Sequence, residues 1–192
     1  MKIIKKSVQL AIIALILVAC SSDDSYVNSR ENQDQAEVSQ PVELTQLVLR
    51  GQGVVQGQVF QIKDPITGVD IESTCFTMNL VDSATNRTVG TIQDCNLETI
   101  TFEDGSMISH MITTFNIDGQ GTITSVAEVL QTPIEHGVYR TLFNPIEDNI
   151  VQGTAHFQGA KGTVALIGEI DLAQFEQGII EFNCTFTIKF VK

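Results

Sequence analysis

Few side chains in this 192-residue sequence are of a type and spacing that could do chemistry. His110, His136 and His156 show no metal-ligand spacing, so no metal and no cofactor is expected, and the chain has no G-x-S-x-G nucleophile elbow. Glu128 is the candidate carboxylate. It shares a strand face with Val126 and Leu130, and if that face lines an apolar interior, desolvation raises its pKa toward the range that suits a general acid or base. If the face points outward, Glu128 is solvated or paired with a neighbouring strand. Glu72 shares a face with Phe76 and Met78 but lies at a strand end, which predicts a rim position.

The cysteines inform on compartment. A turn over 83–87 that sets Asp82 opposite Thr88 brings Cys75 opposite Cys95, and a disulfide between them is predicted. Cys184 falls on a phenylalanine-rich face, where a free thiol behaves as a small buried hydrophobe.

The elements that must position these groups are strands. Apolar and polar residues alternate at period two through most of the chain, as in 179–190, where Ile180, Phe182, Cys184, Phe186, Ile188 and Phe190 share one face. Similar segments fall at about 46–62, 71–81, 88–100, 106–117, 120–131, 149–158 and 161–170, separated by turn signals such as Asp104-Gly105 and Asp118-Gly119. Eight short antiparallel strands in meander order predict an all-β, up-and-down barrel, with an open sandwich as the alternative. In the barrel, Phe182, Phe186 and Phe190 are expected to line or fill a cavity. The longest connection, Thr132 to Asp148, is expected to be a functional loop.

Ahead of the strands, Lys2, Lys5 and Lys6 precede an apolar run from Ile12 to Val18, too short to span a bilayer comfortably, and then Ala19 and Cys20. The order is that of a secretory signal over 1–19. Leu17-Val18-Ala19-Cys20 resembles the lipobox of bacterial lipoproteins, which implies that Cys20 is lipidated and anchors the chain to a membrane. Residues 20–42 are polar, rich in Asp, Glu, Gln and Ser, and read as a disordered tether ahead of a domain over 43–192. The acidic cluster Asp23-Asp24 behind Cys20 resembles the signal for surface display on the bacterial outer membrane; an ordinary solvated linker is the alternative.

Charge excludes one class of partner. The net charge of −12 becomes −15 once Lys2, Lys5 and Lys6 leave with the signal, so the chain cannot readily assemble the basic patch that nucleic acid requires.

Two segments carry a family resemblance. Gly153-Thr154-Ala155-His156-Phe157-Gln158-Gly159-Ala160-Lys161-Gly162-Thr163-Val164 resembles the glycine-rich strand-turn-strand signature of allene oxide cyclases and plant dirigent proteins. Phe76-Thr77 through Asp82, with Arg87-Thr88-Val89-Gly90, resembles the hairpin near the start of their barrels. The resemblance covers about residues 54–190 and implies an eight-stranded barrel with an apolar interior cavity, often trimeric. It does not carry the activity over. Met78 stands where the cyclases have an Asn, and Asn96 where they have a Cys, while the dirigent coupling residues have no counterpart. The expectation is therefore an envelope barrel that binds an apolar small molecule without catalysis. The alternatives are a cyclase or isomerase of an oxidised lipid or polyketide-like substrate, and a surface interaction module.

Overall fold

β-branched and aromatic side chains suit a pleated, half-buried surface, and in the computed structural model, which describes residues 46–191, the alternating segments are strands. They are β1 (Gln46–Gln56), β2 (Gln58–Lys63), β3 (Asp70–Asp82), β4 (Thr88–Thr101) and β5 (Met107–Ile117). There follow β6 (Gly121–Glu135), β7 (Val138–Phe143), β8 (Ile150–Gly153), β9 (Gly162–Asp171) and β10 (Ile179–Phe190). The signal segment, Cys20 and the tether lie outside the described residues.

Every pairing is antiparallel, and the sheet closes. β1 pairs with β10 from Gln46↔Lys189 to Gln56↔Ile179, and its other edge pairs with β3 from Leu49↔Asp82 to Gln52↔Asn79. β2 continues along the lower part of β3, and β7 and β8 occupy successive stretches of β6, so ten segments make an eight-stranded up-and-down barrel. Closure leaves the sheet without the unpaired edges of a sandwich.

Where β7 and β8 are interrupted, Asn149 replaces the ladder. Its Nδ2 donates to the carbonyls of Val126 (3.0 Å) and Val164 (3.2 Å), and its Oδ1 accepts from the Val164 N–H at 2.7 Å. One buried side chain thus ties β6 to β9.

One end of the barrel is filled. Leu80, Ile92, Phe115, Ile123, Phe186 and Ile188 are almost wholly buried there, with Phe115 edge-on to Phe186 at 5.1 Å between ring centroids. Phe190 stacks on Phe157 at 5.8 Å. Phe186 and Phe190 therefore pack into the solid end, and only Phe182 of the three expected phenylalanines borders a cavity.

Two further expectations change. The connection Thr132 to Asp148 is not one loop, because it holds the end of β6 and the whole of β7. The strand expected over 149–158 ends at Gly153, after which a single 3-10 turn, Ala155–Phe157, folds Phe157 into the barrel. Crowding explains the glycines around it. A Cβ on Gly153 would fall 1.9 Å from the Phe157 carbonyl oxygen, and one on Gly162 1.9 Å from that of Lys189, whereas Gly159 sits in open space at φ 73° and serves the turn.

The hairpin of β3 and β4 has Val81 rather than Asp82 opposite Thr88, and an irregularity there restores the expected register from Leu80↔Gly90 onward. Cys75 faces Cys95 and the two are disulfide-bonded. Both point to the outer surface, where Phe60, Ile62, Ile71 and Val126 pack against them and Ile112 in a small second core.

The outside of the barrel also carries an apolar row. Ile100, Ile108, Leu130, Leu142 and Ile167 are register partners across β4, β5, β6, β7 and β9, and all but Ile108 are substantially exposed.

Candidate functional site

Away from the filled end, the interior opens into a cavity of about 320 Å³. Its walls differ. The β9–β10 side is apolar, with Leu166, Ile170, Leu172, Ile180 and Phe182, whereas β4, β5, β6 and β7 contribute Asp94, Asn96, Thr99, Ser109, Gln131 and Thr141.

A β-bulge produces the polar wall. Asn96 pairs with Met111 and Glu98 with His110, so Leu97 is the extra residue, and the inward parity changes from even to odd. Asp94 and Asn96 before the bulge and Thr99 and Thr101 after it all line the cavity. The polar side chains bond to one another. Gln131 Nε2 donates to Ser109 Oγ at 3.0 Å, Ser109 Oγ and Thr99 Oγ1 lie 2.8 Å apart, and Asn96 Nδ2 donates to Thr99 Oγ1 at 2.9 Å.

Among the described residues, Asp94 is the one ionisable side chain on the cavity wall. It is 7% exposed, its cross-strand partners are Phe76 and Thr113, and Thr113 Oγ1 donates to its Oδ1 at 2.6 Å. Burial pushes its pKa up to about 6, against a smaller opposing effect of the Thr113 hydrogen bond. Such a carboxyl can exchange a proton near neutral pH.

The neighbouring thiol is not a nucleophile. Burial, the largest effect, takes Cys184 up to about 12; the Thr141 hydroxyl 3.3 Å away opposes this, and the charge of Asp94 adds to it.

Glu128 takes the outward of its two expected orientations. On β6 the inward residues include Ile123, Ser125, Val129 and Gln131, so Glu128 points outward with Val126 and Leu130, its side chain 68% exposed and its Oε1 3.6 Å from His110 Nε2. Glu72 is also outside the cavity, accepting a 3.2 Å hydrogen bond from Gln61 on the exposed β2–β3 hairpin. His110 and Glu128 border an outer depression of about 640 Å³ between the 64–66 turn and the 143–149 segment. It is larger than the interior cavity, but it lies on the barrel's flank, and none of its carboxylates, Asp64, Glu128, Glu147 and Asp148, is buried.

Asp94 carried a signal in the sequence. Once Cys75–Cys95 is taken as an outward cross-strand pair, alternation turns Asp94 inward with Ile92. Among the described residues, no three His, Cys, Asp or Glu side chains gather closely enough to hold a metal ion. No model of a known protein family matches the chain, and no curated protein matches it either.

Proposed function

We propose that this protein is a cell-envelope lipoprotein, anchored through Cys20 to the bacterial outer membrane and displayed on its surface, whose barrel binds a small, largely apolar molecule. The observation that carries the reading is the two-sided cavity. Apolar side chains of β9 and β10 face a hydrogen-bonded wall of Asn96, Thr99, Ser109 and Gln131, an arrangement that suits a ligand with an apolar body and one polar group.

Native mass spectrometry of the protein purified from its own host tests the reading. A co-purifying small molecule is expected, and it should be lost when Val129→Phe narrows the cavity. An empty wild-type protein that also takes up no member of a panel of apolar compounds overturns it.

Asp94 favours a second reading, in which the barrel is an isomerase or cyclase for such a ligand. A buried carboxyl that titrates near pH 6 is suited to moving a proton on a bound substrate. Conversion of the co-purified molecule by wild-type protein but not by Asp94→Asn would establish it. The homotrimer implied by the family resemblance belongs to the same proposal. The exposed row Ile100, Leu130, Leu142 and Ile167 supports it, and sedimentation of Leu142→Lys against wild type checks it.

A further inference from the structure

We propose that the interior cavity selects a lipophilic organic monocation, an amine protonated at neutral pH, with its charged end against Asp94. The inference rests on the reading of the barrel as a small-molecule binder and names the chemical class of its ligand.

The argument starts from an imbalance of charge. Seventeen of the described residues line the cavity, and Asp94 is the only one of them that ionises. Its carboxyl is deeply buried, and among the described residues it accepts one hydrogen bond, from Thr113, and no Lys, Arg or His side chain pairs with it. A carboxylate removed from water without a counter-ion is disfavoured by several kcal/mol in general, and a cation placed beside it recovers much of that loss. The described residues supply no such cation at this place. A ligand can.

The same composition excludes the opposite sign. A fatty-acid carboxylate or a phosphate ester entering this cavity would meet a like charge and no basic side chain, so neither end group is matched. A neutral alcohol fits the hydroxyl and amide groups of Thr99, Ser109 and Gln131 but leaves Asp94 uncompensated. Around Asp94, the walls suit a cation better than an aliphatic lining would. Phe76 is its cross-strand partner and Phe182 borders the same space, and aromatic rings attract a desolvated cation. At longer range the net charge of −12 favours the approach of cations over anions.

The size of the space limits the ligand. A cavity of about 320 Å³ holds the volume of about ten water molecules, at the lower end of small-molecule sites. A short alkyl or arylalkyl amine fits that volume, and a two-chain lipid does not.

The test is a matched series of hexylamine, 1-hexanol and hexanoate titrated calorimetrically at pH 7.5 into the mature chain carrying Cys20→Ser, which removes only the anchor. Hexylamine is expected to bind at least about tenfold more tightly than hexanol, and hexanoate more weakly than either. In Asp94→Asn the preference for the amine should fall to within about twofold while hexanol binding stays. Thermal melts establish that this variant is folded, and the wild-type series decides the question without it. Hexanol binding as tightly as hexylamine, or hexanoate binding best, overturns the cation assignment and leaves the barrel a binder. If none of the three binds, and a neutral apolar dye does not bind either, the binding reading fails and the assignment fails with it.

Discussion

Thr113 Oγ1 donates to Asp94 Oδ1 at 2.6 Å from the adjacent strand, and this is the only hydrogen bond that the buried carboxyl receives among the described residues. The bond holds the carboxyl in place without neutralising it, so the folded protein takes up a proton at a pH where the unfolded chain does not. The folded pKa, about 6, exceeds the ordinary value of 3.8. Between those values the native state binds more protons than the unfolded state, so stability falls as pH rises through this window. Above the window the ionised carboxylate costs up to about 3 kcal/mol. Asp94→Asn, which keeps an acceptor for Thr113, should therefore be more stable than wild type at pH 7.5 and should flatten the pH dependence between 4 and 6. Urea unfolding at a series of pH values measures both effects; a variant less stable at pH 7.5 than wild type counts against the burial argument.

The Cys75–Cys95 bond closes a loop with a sequence separation of 20. Loop entropy assigns it about 3 kcal/mol of stabilisation. Non-reducing peptide mapping should recover the two cysteines in one linked pair with Cys184 free. Replacing both by Ser should lower the denaturation midpoint by an amount consistent with that figure. A linkage of either residue to Cys184 would refute the register.

The glycine segment separates two physical causes in one stretch of chain. Gly153→Ala sets a methyl group against the Phe157 backbone and should cost on the order of 3 kcal/mol or more, or prevent folding. Gly159→Ala meets no atom within 4 Å and bears only the strain of its left-handed backbone, about 1 kcal/mol. Equal losses for the two variants in thermal unfolding would contradict the close approach.

Cys20→Ser should release the protein from the membrane fraction if, as proposed, this thiol carries the lipid anchor. Fractionation with a high-salt wash checks it, and retention of the variant in the membrane would count against a lipid anchor.

The sequence disclosed the barrel better than the site, for reasons visible in individual residues. The phenylalanines of β10 alternate with polar residues without a break, so its boundaries were legible to the residue. β7 was hidden because it is short and both its faces are mixed: Thr141 points inward between Tyr139 and Phe143, while Leu142 points outward and is 44% exposed. The carboxylate was harder to place, because Val126 and Leu130 are apolar and yet belong to the barrel's outer surface, so hydrophobicity alone left both orientations of Glu128 open. Asp94 lay two residues before the Asn96–Leu97 step where the bulge resets the alternation, and a strict period-two reading of β4 cannot hold Asp94 and Thr99 on one face. Asn149 gave no signal, because it bridges strands that approach each other only in three dimensions.

The pairing of Gln46 with Lys189 joins the first described strand to the last, so the barrel is assembled from contacts of nearly the greatest separation the chain allows. A chain emerging N-terminus first has two open sheet edges until β10 arrives, and β10 also brings Phe182 to the cavity and Phe186 to the filled end. Without β10 neither the cavity wall nor the core is complete. Native closure therefore waits for the last described strand, and until then the edges of β1 and β9 that β10 covers stay open.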